Sequence, residues 1–379
     1  MTKKILPFAP PSLGQEEIDA VVNVMRKKWL TMGEKTIELE NKLKDYTGAK
    51  HIIVVNSCTA ALHLSLIAND ITEGEVITSP LTFAATANTI IHAGAKPIFV
   101  DIDKETLNMD PNKIEEKITD KTKAIIAVHY AGQPCNMDKI NEIAKKHNLI
   151  VIEDAAHAIG AEYNKEKIGK NGIVCFSFYA TKNMTTGEGG AIAVEDEKLA
   201  KKLRSLRLHG IDKDAWKRYS TEGSWFYEIK HAGWKYNLTD LQAVIGIEQL
   251  KKLDGFTKRK QEIANEYNTK LNKEFFILPN SCEGHACHLY PIQLKLNKLK
   301  INRAEFIEEM LKHGIQTSVH FIPLHLHPLY KEMGYEKGMF PNAEQVYEAM
   351  VSLPIYPTMT DKNIQDVIEA ANLIGGNKS

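Results

Sequence analysis

FSFYATKNMTTGEGG, Phe176 to Gly190, joins an apolar run to a loop of Thr and Gly around a single lysine, Lys182. In a Walker phosphate loop the glycines come before the lysine, and Ser or Thr follows it directly. Here Lys182 precedes Gly187, Gly189 and Gly190, and Asn183 follows it. The order does not fit a nucleotide-triphosphate loop. Taken alone, the stretch suits a solvent-facing lysine equally well, since most lysines are exposed. The rest of the chain must decide between that reading and covalent chemistry.

The stretch lies late in a series of short apolar runs. They are HIIVV (51–55), EVITS (75–79), KPIFVD (96–101), KAIIAVH (123–129), LIVIE (149–153), IVCFSF (173–178) and GAIAV (190–194). Rich in Ile and Val and apolar at consecutive positions, they predict strands buried on both faces of a mostly parallel sheet. Helical patterns such as TAALHLSLIAN (59–69) and NMDKINEIAKKHN (136–148) lie between them, the second capped by Asn136 or Asp138. GAIAV follows its predecessor through a loop, so an antiparallel pairing and a mixed sheet are expected. After Ala200 the texture changes. A polar and aromatic stretch (Trp216 to Tyr236) precedes one long helical pattern over 238–271. Then come HLYPIQLKL, the helix INRAEFIEEMLKHG with its terminal Gly314, and a last helix after Pro354 and Pro357. The expectation is an α/β domain over 1–250, including an N-terminal arm, and a smaller α+β domain over 251–379. The long helix bridges the two.

Bulk composition narrows the function. The 379 residues carry 48 Lys plus Arg against 48 Asp plus Glu, and 43% are hydrophobic. A neutral chain without a long basic run argues against sequence-independent nucleic-acid binding. No apolar run has the length of a membrane span, and no apolar segment follows the Lys3–Lys4 start as in a secretory signal. A cytoplasmic enzyme is expected. The five cysteines, Cys58, Cys135, Cys175, Cys282 and Cys287, are odd in number and scattered, as in reduced cytosolic proteins. CEGHACH (282–288) and HFIPLHLHP (320–328) lack the ligand spacing of a zinc site, so no metal is expected.

Ligands of open α/β sheets bind beyond the carboxyl ends of the strands. Beyond HIIVV comes Asn56-Ser57-Cys58-Thr59, opening a helix. Its free N–H groups suit a phosphate, although Ser57 or Thr59 is equally an ordinary helix cap. Beyond EVITS comes Phe83, either a plate for a flat ring or a core residue. Beyond LIVIE comes Asp154, costly to bury unless paired, then His157. Beyond IVCFSF comes Lys182. A phosphate seat, an aromatic plate, a buried carboxylate and a lysine together are what pyridoxal 5′-phosphate requires. The lysine forms a Schiff base with it, and the acid keeps its pyridine nitrogen protonated.

The chain resembles the DegT/DnrJ/EryC1/StrS sugar aminotransferases, a family of fold-type I pyridoxal-phosphate enzymes. The resemblance runs from PFAPPSLGQEEIDAVVNVMRKKWLTMGEKTIELE (7–40) through NSCTAALHLSL, VHYAGQPCNMDKI, VIEDAAHAIGA, FSFYATKNMTTGEGG and KYNLTDLQAVIG to HFIPLHLHP. It implies an aspartate aminotransferase-like fold, with a seven-stranded, mostly parallel mixed sheet between helices. It implies that Lys182 carries the cofactor and shuttles protons, and that Asp154 binds the pyridine nitrogen. His157 would lie near the phenolic oxygen, and Phe83 would stack on the ring. Cys58 and Thr59 would sit at the phosphate turn, where Cys58 departs from the family's usual Gly. Ser177 would add a phosphate ligand, and Asn237 would reach the phosphate of a neighbouring subunit in a homodimer with shared sites. His320 and His325 would border the substrate cleft. Relatives with His in place of the lysine are sugar dehydratases, so Lys182 favours transamination. The implied reaction moves an amino group from glutamate to a nucleotide-linked keto-sugar. A cyclitol ketone as acceptor, or a non-catalytic regulator that binds the cofactor, are the alternatives.

Overall fold

The structure is a computed structural model that describes residues 5–211, 226–280 and 284–376. Five strands come first: β1 (His51–Val55), β2 (Glu75–Thr78), β3 (Lys96–Phe99), β4 (Thr122–Val128) and β5 (Ile150–Asp154). A two-residue pair follows, β6 (Glu162–Tyr163) and β7 (Glu166–Lys167), then β8 (Val174–Ser177) and β9 (Gly190–Val194). The main sheet has the order β1-β9-β8-β5-β4-β2-β3. Every pairing is parallel except the two made by β9, which lies antiparallel between β1 and β8. The mixed sheet expected from the short loop before GAIAV is therefore present.

Both faces of this sheet are buried, as the runs of Ile and Val predict. Along β1, Ile53 and Val55 join one core cluster while Ile52 and Val54 join another on the opposite face. That alternation is the two-residue period of a strand acting on an unbroken apolar sequence. Helices cover the faces. α1 (Gln15–Lys27) and α2 (Glu34–Thr47) precede the sheet, and α3 (Cys58–Ala68), α4 (Ala84–His92) and α5 (Met137–His147) connect its strands. α6 (Glu197–Leu206) follows β9. α3 is buried almost all round, consistent with CTAALHLSLIA carrying no charge.

α7 (Asp240–Lys270) runs unbroken for 31 residues and starts on a capping box between Thr239 and Gln242. Asp240 also accepts from the backbone N–H of Gly33 (2.8 Å) and Thr36 (2.9 Å), so one carboxylate ties the start of α7 to that of α2. Beyond α7, an antiparallel sheet of β10 (Phe276–Ile277), β11 (Tyr290–Leu294) and β12 (Met350–Leu353) has its own core cluster. α8 (Arg303–Lys312) and α11 (Asp361–Gly376) contribute to that core, while α9 (Pro328–Glu332) and α10 (Pro341–Ala349) lie between β11 and β12 in the chain. The N-terminal segment reaches this region: Leu6 bridges Ile315 and packs in the same cluster. Among the described residues no helix is long and apolar enough to cross a membrane. Cys58, Cys135 and Cys175 are free thiols; Cys282 and residues 216–225 of the Trp216–Tyr236 stretch lie outside the described residues.

Candidate active site

β1, β2, β4, β5 and β8 end on one edge of the sheet, and β9 begins there. A cavity of about 470 Å³ opens along this edge. Its walls include Ser57, Cys58, Thr59, Phe83, Asp154, His157, Ser177, Lys182 and His320, so nine residues of four separate loops and one distant segment converge as expected.

Asp154 ends β5 and is 5% exposed. Thr86 Oγ1 donates to one carboxylate oxygen at 2.7 Å, and the N–H of Ala156 donates to the other at 3.1 Å. No ion pair to Asp154 forms among the described residues. Burial pushes the carboxyl up from its ordinary value, while these two hydrogen bonds and the charge of Lys182 pull it back. A buried acid of this kind calls for a cation.

Lys182 is held by its loop rather than by its own side chain. Its N–H donates to Tyr179 O (2.9 Å), and Phe178 receives and gives backbone bonds with Thr186 and Gly189 (both 2.9 Å). Asn183 is the clamp. Its side-chain nitrogen donates to the carbonyls of Ile159 (3.1 Å), Ala286 (3.4 Å) and His157 (3.5 Å), and its oxygen meets His288 Nδ1 at 3.0 Å. The amide oxygen can only accept, so Nδ1 of His288 carries the proton. Burial draws the Lys182 amine down to about 8, with Cys58 and Asp154 opposing the shift. A lysine so placed gives up its proton near neutral pH.

The glycines of the loop serve close approach. A Cβ on Gly190 would lie 2.6 Å from the Ser57 carbonyl carbon and 2.7 Å from the Cys58 nitrogen. β9 thus presses on the first turn of α3, where Ser57 Oγ accepts from the Ala60 N–H at 3.0 Å. The ordinary cap and the anion seat are the same feature. Its partial positive charge, with the hydroxyls of Ser57, Thr59 and Ser177 beside it, suits a phosphate. Cys58 lies where the backbone does the binding, so its side chain turns inward and its thiol faces Cys175 O (3.7 Å).

Phe83 is 61% exposed and stands at the cavity wall, where a core phenylalanine would not. Facing it are Phe321, 5.9 Å away between ring centroids, and then His157, stacked on Phe321 at 6.1 Å. Burial, with the charges of Lys182 and His320, holds His157 well below its ordinary value. His320 is drawn down to about 4 by burial and Lys182. Both imidazoles are neutral at pH 7.

Two expected residues are not in the cavity. Asn237 is buried beside the end of β1, pairing with Val55, and its side-chain oxygen has no partner among the described residues. The substrate role expected for His325 is not supported by its placement. His325 is fully buried, bonded to Glu344 at 2.9 Å and edge-on to Phe340 at 4.8 Å. Other residues escaped the sequence reading: Thr86, Asn183, Phe8, His288 and Phe321. Thr82 and Thr86, four apart at a helix start, carried a visible signal. His288 was legible only as part of CEGHACH.

The residues fit pyridoxal 5′-phosphate. An acid lacking a cation faces a lysine able to shed its proton, beside an anion-binding helix start and an exposed aromatic plate. Fold and site together define a pyridoxal-phosphate-dependent aminotransferase of fold type I. A sequence model of the DegT/DnrJ/EryC1/StrS aminotransferase family matches residues 11–372, and the chain belongs to that family of sugar aminotransferases. It is 50% identical over 372 residues, 96% of each chain, to the spore coat polysaccharide biosynthesis protein SpsC of Bacillus subtilis. Spr1654 of Streptococcus pneumoniae, described as a sugar aminotransferase and solved in its pyridoxal-phosphate form, superposes with a TM-score of 0.91 at 32% identity, over 98% of both chains. PseC of Helicobacter pylori, an aminotransferase involved in the biosynthesis of pseudoaminic acid, superposes with a TM-score of 0.90 at 31% identity, over 97% of this chain and 98% of its own.

Proposed function

We propose that this enzyme transfers the amino group of L-glutamate to the keto group of a nucleotide-linked sugar, in a cytoplasmic step of polysaccharide or glycan synthesis. The observation that carries the reading is the meeting of Lys182 and Asp154 across one cavity, in a chain whose relatives are named for polysaccharide and pseudoaminic acid synthesis. When bound, the cofactor would supply the carbonyl and the electron-withdrawing ring that transamination needs.

The chain's own groups account for the rest. Asp154, whose ionised form is favoured by the hydrogen bonds from Thr86 and the Ala156 N–H, would hold a proton on the ring nitrogen of the bound cofactor. The first turn of α3, with Thr59 and Ser177, would anchor the phosphate. Phe83 would cover a ring face of the cofactor, and His157 would face its ring oxygen. Lys182 takes a proton from the donor carbon and returns one to the sugar carbon, which its burial-lowered basicity permits. His320 borders the acceptor. Asn237, whose buried side-chain oxygen has no partner among the described residues, serves the site of a second subunit in a homodimer.

The test is an absorbance spectrum of the purified holoenzyme before and after glutamate, followed by a panel of nucleotide-linked keto-sugars. Glutamate is expected to collapse the visible-edge cofactor band, and one keto-sugar to restore it. A band that glutamate leaves unchanged rules out this donor. Restoration by a free cyclitol ketone and by no nucleotide sugar rules out this acceptor class.

A further inference from the structure

His288 stands at the cavity wall with no part in the chemistry assigned so far. It lies just before β11, the middle strand of the antiparallel sheet, far along the chain from the lysine loop. The backbone that presents it is strained. Cys287, directly before it, has a φ of 47°, a left-handed conformation that a side chain disfavours, and Ala131 has a φ of 58°. The two strained segments bind each other. The N–H of His288 donates to Ala131 O at 2.9 Å, and that of Ala286 donates to Gly132 O at 3.0 Å. Strain held beside a cavity points to a function for the group it presents. That group is the His288 imidazole, 8% exposed, which lines the main cavity together with Lys182.

Two contacts define what the ring does. The side-chain nitrogen of Asn183 is spent on three carbonyls, so its oxygen faces His288 and accepts from Nδ1 at 3.0 Å. The ring also lies against that of His157, with 4.4 Å between centroids. Burial keeps the His288 imidazole neutral at pH 7, so Nδ1 holds its one ring proton and the bond to Asn183 uses it. Asn183 directly follows Lys182 in the chain.

We propose that His288 is a positioning residue for amino transfer: its Nδ1–H locks Asn183 and so holds the Lys182 amine in its buried place, while its ring backs His157. The inference rests on Lys182 as the residue that joins the cofactor. The decisive feature is the donor. His288→Asn retains a donor near the position of Nδ1, whereas His288→Phe retains only a ring. The other titratable groups around the amine among the described residues are Cys58, Asp154, His157, Glu188, Lys260 and His320. Both variants leave all six in place, so a changed lysine basicity reports a changed lysine position.

The test follows covalent uptake of pyridoxal phosphate by the apoenzyme against pH, by stopped-flow absorbance. In the wild type the rate should level off above about 8, where burial places the amine. His288→Phe frees the loop and lets water reach the amine. Its midpoint should rise by about one pH unit, and its rate at pH 7 should fall about tenfold. His288→Asn should keep the wild-type midpoint. A lowered Tm with an unmoved midpoint in His288→Phe would overturn the proposal and leave His288 a packing residue. An equal shift in both variants would overturn it too. Lys182→Ala separates the two readings. Covalent uptake that survives it sinks the assignment of Lys182, whereas its loss there, with an unmoved midpoint in His288→Phe, sinks only the role of His288. Neutron diffraction from wild-type crystals needs no variant to fold. Deuterium on Nδ1, directed at Asn183, is expected, and deuterium on Nε2 alone would overturn the proposal.

Discussion

The hydroxyl of Thr86 donates its only hydrogen to Asp154, at 2.7 Å. Thr82, 2.8 Å from the same oxygen, must therefore be the donor in its bond to Thr86. Two hydroxyls in series thus support the carboxylate proposed to meet the cofactor. Thr86→Val removes this support while keeping the shape. A hydrogen bond to a charged group contributes about 1.5–3 kcal/mol, so cofactor affinity should fall by about ten- to a hundredfold. Cofactor titration of the apoenzyme checks this, and Thr86→Ser should recover most of the loss.

Lys182→Ala should abolish transamination and leave non-covalent cofactor binding. In the wild-type apoenzyme the amine is drawn down to about 8 by burial, and only the free amine attacks a carbonyl. The rate of covalent cofactor uptake should therefore rise about tenfold per pH unit from pH 6 to 7.5 and level off above about 8. Stopped-flow absorbance follows it. A flat profile over that range would exclude the assigned basicity.

Asp154→Asn should separate activity from stability. Burial raises this carboxyl in the folded apoenzyme above its unfolded value. Such a group binds more protons folded than unfolded between the two values, so its contribution to stability falls as pH rises through that window. At pH 7 the neutral amide should thus leave the apoenzyme as stable as the wild type or more so. Turnover should drop by at least about a hundredfold, since the ring nitrogen loses its counter-charge. Thermal melts and steady-state rates distinguish the two effects.

Asn183→Leu breaks the clamp on the lysine loop and leaves His288 and three carbonyls short of a partner. Stranding buried polar groups should cost about 2–4 kcal/mol in urea unfolding. The rate constant for turnover should fall more than substrate affinity, because the displaced group is the proposed proton carrier, Lys182.

The seven strands could be read from the sequence because each is a short run of Ile and Val between turn signals. HIIVV and GAIAV coincide with β1 and β9, and the others agree to within one or two residues. The long helix expected over 238–271 is α7 at 240–270. Residues at strand ends could likewise be placed at the site, since the edge of a parallel sheet follows from its direction. What the sequence could not show is contact between distant segments. Asn183 meets Ala286, and Phe8 stacks on His320 at 5.3 Å, with no local period to announce either. The same limit explains His325. It shares a histidine-rich loop with His320, but the chain turns into a short 3-10 helix over Leu324–Leu326 and points it inward to Glu344.

That placement can be tested directly. His325→Ala should lower stability by about 2–3 kcal/mol, the cost of stranding Glu344 and opening a void, and leave the KM for the sugar unchanged. His320→Ala should raise that KM.

The position of β9 also shapes how the polypeptide comes into being on the ribosome. β1 has one neighbour in the sheet, β9, and the pairing of Val55 with Gly190 spans well over a hundred residues. At about 5–20 residues per second, β1 waits on the order of ten seconds for its partner to be synthesised. During that interval an apolar strand has both edges open, a state prone to aggregation. The insertion of β9 closes that edge and, through Gly190, also sets the first turn of α3. The ability to take up cofactor should therefore not appear in the growing chain before residue 194 has cleared the exit tunnel.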